Sequence, residues 1–274
     1  MPVDQKAPAA IADYRIVRQL GEGNHGRFYL AKPPARLGLS DEYVALKVFS
    51  GLVSEDAYRR GVRELRAFAA VQSPYLVRIY DAVLEENFLY AMEYFPMGSL
   101  SAPETAPAPA DTLRALEHAA RAIHELHEAG MVHGDVKPAN VMLHAGGGKL
   151  SDLGLARVLN SEMALTGMAP ATSVEFIDPA LLFGETPSRA TDIWALGATI
   201  NRALTGEGLY GDLPIDQPLL AIRAVQSGRA RVSAQLDAPT AALVRDCMAP
   251  AGTRPQTAAE VADRLAALAR PQSR

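Results

Sequence analysis

The stretch HGDVKPAN, residues 133–140, decides how this chain is interpreted. It contains an aspartate at position 135, a lysine two residues later and an asparagine five residues later, and Asp152 follows in the triplet DLG. A carboxylate can orient a hydroxyl, an ammonium group can neutralise a phosphate, and an amide with a second carboxylate can hold metal ions. This combination predicts phosphoryl transfer.

Length and composition are those of an ordinary globular protein with one domain or two tightly packed lobes. The 274 residues are 49% hydrophobic and 21% charged, and the formal net charge is −4. This charge balance gives no electrostatic signature for nucleic acid or for an anionic membrane. We therefore expect no nucleic-acid partner and no direct membrane contact within this chain, and its apolar runs stay shorter than the roughly 20 residues that span a bilayer.

The N-terminal residues and the cysteine content favour a cytoplasmic location. The sequence MPVDQKAPAA lacks the basic and apolar regions of a secretory signal. Cys247 is the single cysteine, so an internal disulfide cannot form, and the cysteine and the six histidines show no metal-ligand spacing. A cytoplasmic part of a longer, membrane-anchored protein agrees equally well with these features.

The first third of the chain carries strand patterns. Residues 14–32 follow the order strand, glycine-rich turn (GEGNHG, 21–26) and strand, and YVALKVF (43–49) is typical of a buried strand. Ser54 is placed to cap a helix. The apolar positions of this helix, which recur at helical spacing, are Tyr58, Val62, Leu65 and Phe68. The stretches LVRIYDAV and FLYAMEYF complete a predicted small sheet.

The remainder of the chain is predicted to be helical. Residues 101–111, SAPETAPAPAD, are rich in proline and alanine and indicate a surface linker. A long amphipathic helix is predicted for residues 112–130. Shorter helices are predicted at 192–204, 218–226, 240–248 and 257–269, the last with a capping-box pattern. A strand-rich first third joined to a helical remainder predicts an α+β fold with two lobes.

Three further features offer candidate groups for a nucleotide. Gly21, Gly23 and Gly26 would let the backbone approach phosphates, and the strand that follows them argues against a dinucleotide-binding unit, although a plain hairpin also explains them. Lys47 lies among apolar neighbours in VALKV, where an ammonium is costly unless it is paired. Glu64 on the predicted helix is its candidate partner, and a snorkelling lysine with a solvated glutamate is the alternative.

Together these motifs resemble those of the eukaryotic-type (Hanks-type) Ser/Thr protein kinases, which are also common in bacteria. They occur in family order from about residue 14 to residue 268. The motifs are Gly21/Gly23/Gly26, Lys47 in VALK, Glu64, MEYFPMGSL (92–100), HGDVKPAN (133–140), DLG (152–154) and DIWALG (192–197).

The resemblance implies a bilobal protein-kinase fold. A small β-rich N-lobe with the hinge would cover residues 14–98, and a larger helical C-lobe would cover residues 99–268. Residues 1–13 would form a mobile tail and residues 269–274 a second tail. ATP and Mg²⁺, or Mn²⁺ in its place, would bind between the lobes.

The resemblance also implies roles for individual residues. Asp135 would orient the substrate hydroxyl, Lys137 would lie near the γ-phosphate, and Asn140 and Asp152 would hold the metal ion. Lys47 would contact the α- and β-phosphates and pair with Glu64. The residues expected to contact the nucleotide are Gly21, Gly23, Gly26, Phe28, Ala45, Lys47, Met92, Glu93, Phe95 and Met142. Asp192 would brace the catalytic loop from a buried helix.

Lys137 also indicates the acceptor. A lysine two places after the catalytic aspartate resembles Ser/Thr kinases, whereas tyrosine kinases usually differ there. The resemblance therefore implies protein substrates with serine or threonine acceptors, including the enzyme itself. Candidate autophosphorylation residues are Ser161, Thr166, Thr172 and Ser173, and either Thr172 or Ser173 is alternatively the residue that contacts the catalytic aspartate and lysine.

Two positions depart from the family's pattern. Gly134 stands in place of the arginine that reads a phosphate on the activation loop, so we expect activity not to depend strictly on phosphorylation of that loop. Ala180 in the triplet DPA stands in place of a glutamate that pairs with an arginine resembling Arg254. That arginine is then either exposed or paired with Asp178 or Glu185.

Two other interpretations remain open at this point. The triplet HGD with an asparagine five residues after its aspartate also resembles aminoglycoside and choline phosphotransferases, but Lys137-Pro138, DLG and DIWALG favour a protein kinase. An ATP-binding pseudokinase scaffold is the non-enzymatic alternative. The presence of Lys47, Asp135, Asn140 and Asp152 argues against it.

Overall fold

In a computed structural model, the protein is described over residues 8–23, 26–50, 54–85, 87–152, 171–214 and 216–270. These residues form two compact units. The first extends to Ala70 and includes Val77–Phe95, and the second contains Val71–Leu76 and the described residues from Pro96 onward. Strands dominate the first unit and helices the second, so the predicted α+β class is confirmed.

The first unit is built on a six-stranded antiparallel sheet in the order β1-β2-β3-β4-β6-β5. Its strands are β1 (Ala10–Ile11), β2 (Tyr14–Gly23), β3 (Gly26–Lys32), β4 (Val44–Phe49), β5 (Ile79–Leu84) and β6 (Phe88–Glu93). The predicted hairpin corresponds to β2 and β3. Strand β1, which pairs with β2, lies within the region that the sequence indicated as a tail.

The register of the sheet separates its side chains onto two faces, because directly opposed residues of antiparallel strands point to the same side. One face carries a buried cluster that includes Tyr29, Leu46 and Ala91. On the other face Lys47 lies opposite Phe28 on β3 and opposite Tyr90 on β6. Residues Ala45 and Met92, which also pair across β4 and β6, share this second face.

One helix, α1 (Glu55–Ala70), follows β4 in the first unit. The backbone N–H of Ala57 donates to Ser54 Oγ at 3.2 Å, which confirms the predicted cap. The buried residues of α1 are Ala57, Gly61, Leu65 and Phe68. Because these positions recur at helical spacing, one side of the helix faces the interior.

The second unit is mainly helical. Its helices are α2 (Pro109–Glu128), α3 (Ala171–Val174), α4 (Pro179–Leu182), α5 (Arg189–Thr205), α6 (Pro218–Ser227), α7 (Ala238–Cys247) and α8 (Ala258–Ala269). A small sheet in the order β10-β9-β7-β8 accompanies them. Its strands are β7 (Gly98–Ser99), β8 (Ala102–Pro103), β9 (Val141–His144) and β10 (Gly147–Leu150). Helix α2 packs against α8, β10 and α5, and α5 also packs against α7.

Two helices begin at other residues than the sequence predicts, and one helix cap agrees with the prediction. Helix α2 begins at Pro109, inside the predicted linker, because proline suits the first turn of a helix. Helix α5 begins before the predicted residue 192, because Ser188 and Thr191 form a reciprocal cap. Thr257 caps α8, as predicted, by accepting a hydrogen bond from the N–H of Glu260 at 3.3 Å. Among the described residues, none of the helices has the length and apolar character needed to cross a membrane.

Candidate active site

The loop between α2 and β9 brings three predicted site residues together. Lys137 Nζ donates to Asp135 Oδ1 at 3.0 Å and to Oδ2 at 2.7 Å. Asn140 Nδ2 donates to the backbone oxygen of Asp135 at 2.7 Å and to its Oδ2 at 3.0 Å. The carboxylate of Asp135 is therefore oriented by two side chains from its own loop, while it stays partly accessible to solvent.

Ser173 joins this group from a distant part of the sequence. It lies on the short helix α3, and Lys137 Nζ donates to its Oγ at 3.1 Å. The sequence offers Thr172 and Ser173 as alternatives for a contact with Asp135 and Lys137. The structure places Ser173 in contact with Lys137, and the lysine bridges the serine to Asp135.

Asp192 secures the backbone of the loop. This residue lies on α5 and is only 1% exposed. Its Oδ2 accepts hydrogen bonds from the N–H of His133 at 2.8 Å and from Nε2 of His127 at 2.9 Å, and its Oδ1 accepts from the N–H of Gly134 at 2.8 Å. Burying a carboxylate is costly unless its oxygens are satisfied, and these three donors satisfy them. The predicted brace by Asp192 is therefore confirmed.

Gly134 occupies a backbone conformation that favours glycine. Its φ is 73°, in the left-handed region. A residue with a Cβ costs about 1 kcal/mol more than glycine in that region. Backbone geometry thus gives this position a reason to be glycine.

His133 is a neutral, buried link to Asp135. The N–H of Asp135 donates to His133 Nδ1 at 3.3 Å, so Nδ1 is the acceptor and the proton lies on Nε2, which donates to the backbone oxygen of Ser151 at 3.0 Å. Desolvation lowers the pKa of His133, and the nearby charges of Asp192 and Asp135 oppose that effect only in part. Protonation of Nδ1 would replace the hydrogen bond to Asp135 with a clash of two N–H donors.

The donor atoms of Asn140 and Asp152 fit a hard divalent cation. The amide nitrogen of Asn140 is engaged by Asp135, which leaves its oxygen as the ligand atom, and oxygen ligands suit Mg²⁺. The N–H and Oγ of Ser151 donate to the backbone oxygen of Asn140 at 2.8 and 3.2 Å, which links Asn140 to the residue before Asp152. Asp152 has a φ of 58°, a strained conformation for a non-glycine residue.

Lys47, in the first unit, is buried among aromatic rings. It is 9% exposed, and its Nζ lies over the rings of Phe28, Phe49 and Tyr90 at 5.0, 5.2 and 5.8 Å from their centroids. Glu64 lies half-buried on α1, next to buried Leu65. The pairing of Lys47 with Glu64 stays a prediction.

The other residues predicted to contact a nucleotide occur in both units. Ala45, Met92 and Phe95 are buried, whereas Gly21, Phe28, Glu93 and Met142 are partly exposed. The N–H of Glu93 donates to the backbone oxygen of Arg78 at 3.0 Å. Met142 lies on β9 and pairs with Lys149 of β10. Glu93 and Met142 are thus held by backbone contacts within the fold. The nucleotide role of all these residues stays a prediction.

Gly26 pairs with Gly23 where β2 and β3 approach the turn. Its φ is 149°, and a Cβ at this position would lie 2.0 Å from the backbone oxygen of Val48. The close approach of β3 and β4 therefore requires glycine here. This packing reason adds to the phosphate role that the sequence predicted.

Arg254 has the partner that sequence analysis left open. It is 7% exposed, and its Nη1 donates to the buried carboxylate of Asp178 and to the backbone oxygen of Ala190. Asp178, and not Glu185, is therefore the carboxylate partner of Arg254. A second pair was missed entirely: Arg202 donates to both carboxylate oxygens of buried Glu175, at 2.9 and 2.6 Å.

The single cysteine does not offer a reactive thiol, and part of the DLG region lies outside the described residues. Cys247 is buried on α7, and burial raises the pKa of its thiol to about 12, so it does not offer a nucleophile. Leu153 and Gly154 of DLG, and the candidate phosphorylation residues Ser161 and Thr166, lie outside the described residues.

The chain belongs to the protein kinase domain family, whose family model matches residues 14–263. It is 34% identical over 221 residues to the serine/threonine-protein kinase PknJ of Mycobacterium tuberculosis. The aligned region covers 77% of this chain and 37% of that protein. It is 31% identical over 200 residues to the serine/threonine-protein kinase PrkC of Bacillus subtilis, covering 70% and 30%.

A third relative, the serine/threonine-protein kinase PknK of Mycobacterium tuberculosis, is 33% identical over 267 residues, covering 93% of this chain and 23% of that protein. The chain thus spans between 23% and 37% of the length of these relatives. Members of the protein kinase family use ATP with a divalent metal ion.

Proposed function

We propose that this chain is an ATP-dependent serine/threonine protein kinase that transfers the γ-phosphoryl group of ATP to serine or threonine hydroxyls of proteins. The arrangement of the catalytic loop carries the proposal. Asp135 is oriented by Lys137 and Asn140, and Asp192 secures the backbone that presents it. Membership of the protein kinase family and similarity to proteins named Ser/Thr kinases support it.

Asp135 orients the acceptor. Its partly exposed carboxylate accepts a hydrogen bond from the substrate hydroxyl and, as the bond to phosphorus forms, its proton. Phosphoryl transfer passes through a loose transition state in most analyses, so proton removal contributes less than placing the oxygen in line with phosphorus. The two side chains that hold Asp135 serve this positioning.

Lys137 supplies a positive charge beside Asp135. Its ammonium group lies within hydrogen-bond distance of both carboxylate oxygens and of Ser173. An ammonium held in this way stabilises negative charge on the transferred phosphoryl group without having to reorganise during the reaction. The same lysine supports serine and threonine as acceptors, because its position after the aspartate is the one that Ser/Thr kinases share.

The remaining roles concern ATP. Asn140 and Asp152 would hold Mg²⁺, or Mn²⁺ in its place, and this ion, when bound, neutralises charge on the phosphates. Lys47 contacts the α- and β-phosphates, and Glu64 pairs with Lys47. The residues proposed to contact the rest of the nucleotide are Gly21, Gly23, Gly26, Phe28, Ala45, Met92, Glu93, Phe95 and Met142.

Gly134 bears on regulation. A glycine offers no guanidinium to bind a phosphorylated residue of the activation loop. We therefore expect phosphatase-treated enzyme, verified by mass spectrometry, to keep its activity. Inactivity after dephosphorylation, with recovery after rephosphorylation, would contradict this part of the proposal.

Transfer of labelled phosphate from ATP tests the proposed function. Wild-type protein should label mixed protein substrates on serine and threonine, and Asp135→Asn and Lys47→Met should each reduce the rate by at least about 100-fold. Asp263→Asn is the matched control, because Asp263 is an exposed aspartate on α8 whose partner is Arg121. Equal labelling by wild type and both variants, or phosphorylation of aminoglycosides and not proteins, would overturn the proposal.

A further inference from the structure

The face of the first-unit sheet that carries Lys47 is unusually aromatic. Phe28 and Tyr90 lie directly opposite Lys47 on the two neighbouring strands, and Phe49 lies two residues after it on the same strand. Side chains at these positions point to the same face. Register alone therefore places three rings around one ammonium group, and the measured distances of 5.0 to 5.8 Å from Nζ to the ring centroids agree with this.

The same rings extend toward helix α1. Phe49 stacks on Phe88 with a centroid distance of 5.3 Å, and the edge of one ring in the pair Phe88–Tyr58 meets the face of the other at 5.7 Å. Tyr58 lies on α1, the helix that also carries Glu64. A continuous series of ring contacts thus connects Lys47 to that helix through side chains that are mostly buried.

We propose that the rings of Phe28, Phe49 and Tyr90 form a cage that positions the ammonium group of Lys47 for the phosphates of ATP, an inference that rests on the role proposed above for Lys47. Phe49 and Tyr90 are positioning residues, because they act through the lysine and not on the substrate. Phe28 combines the same positioning role with the nucleotide contact proposed above.

The physical basis is the charge distribution of the rings. The face of an aromatic ring carries partial negative charge, so a desolvated cation within about 6 Å of the centroid is attracted to it. Burial removes water that would otherwise solvate the ammonium, which strengthens this attraction and makes withdrawal of the lysine from the rings costly.

Fluorination of Phe49 tests the cage. Mono-, di- and trifluorophenylalanine at position 49 keep the ring's shape but progressively withdraw electron density from its face. We expect the Kd for ATP with Mg²⁺, measured by calorimetry, to rise with each fluorine and to reach about 3- to 10-fold above wild type. In a Lys47→Met background the same series should leave the Kd unchanged, because no cation remains to be held.

Phe88 provides the matched control, since it is a buried phenylalanine on the same sheet that stacks on Phe49 and meets Tyr58 edge to face. The fluorinated series at position 88 should leave the Kd for ATP within about twofold of wild type. Tyr90→Phe should bind ATP like wild type and Tyr90→Leu should bind it more weakly, with circular dichroism to verify that both variants fold.

Several outcomes would overturn the cage. They are a Kd that does not respond to fluorination at position 49, a response that persists in the Lys47→Met background, or an equal response at position 88. Failure of the proposed function would look different. Wild-type protein would then show no ATP binding, or Lys47→Met would bind and transfer phosphate as well as wild type does.

Discussion

The catalytic loop and strand β4 hold charged side chains in two different ways. In and around the loop, the carboxylates of Asp135 and of Asp192 on α5 accept hydrogen bonds from lysine, asparagine, histidine and backbone N–H groups. On β4, the ammonium of Lys47 lies against three aromatic rings. A carboxylate needs directional donors to fix its orientation, whereas a cation can be held by ring faces that sheet register brings together.

Removing the carboxylate on α5 that accepts hydrogen bonds from the loop backbone should have the largest effect. Asp192→Ala leaves two backbone N–H groups and His127 without their acceptor in a buried setting. We expect the free energy of unfolding, measured in urea, to fall by about 3–5 kcal/mol. Asp263→Ala, at an exposed aspartate, should change it by less than about 0.5 kcal/mol. A loss below about 1 kcal/mol for Asp192→Ala would mean that the loop does not depend on this brace.

At strand β4, the free energy of unfolding should be most sensitive to a change in the backbone packing between β3 and β4. In Gly26→Ala the new methyl group meets the backbone oxygen of Val48, so β3 and β4 must separate locally. We expect an unfolding free energy lower by about 2–3 kcal/mol in urea denaturation. Gly21→Ala is the comparison, because a Cβ there meets nothing within 4 Å. Equal losses in the two variants would rule out this packing explanation.

Acid should destabilise the loop through His133. Because the folded pKa of this histidine is lowered by burial, the unfolded chain binds its proton first as the pH falls below 6.5. Stability contributed by neutral His133 is complete above that pH and is lost on acidification, by at most about 1.4 kcal/mol per pH unit. Unfolding free energies between pH 7.5 and about pH 5 should fall less steeply in His133→Phe. Parallel pH profiles for wild type and variant would contradict the assignment.

The smallest effect expected is at Gly134. An alanine at this position must adopt a φ near 73°, so Gly134→Ala should lower the unfolding free energy by about 1 kcal/mol. Gly252→Ala serves as control, since a Cβ at Gly252 meets nothing within 4 Å. Thermal denaturation of both variants checks the difference. If Gly134→Ala were as stable as the control, backbone conformation would not explain the glycine.

Local sequence signals predicted much of the fold because they depend on residues a few positions apart. Ser54 and Thr257 were predicted as helix caps and each accepts the expected hydrogen bond. Ser188 was missed, since its cap is completed by Thr191 and not by the glutamate or glutamine of the usual pattern. The short strands β7 and β8 were also missed, because strands of two residues have no periodicity to detect.

The sequence by itself determined the family and the α+β class, because these depend on residue types in a fixed order. Tertiary structure alone decided which side chains meet. Asp178 and Arg254 are 76 residues apart, and Lys137 and Ser173 are 36 apart, so no local pattern could pair them. The aromatic surroundings of Lys47 likewise depend on strand register. Pairing across long distances follows from how elements pack, and packing depends on the whole chain at once.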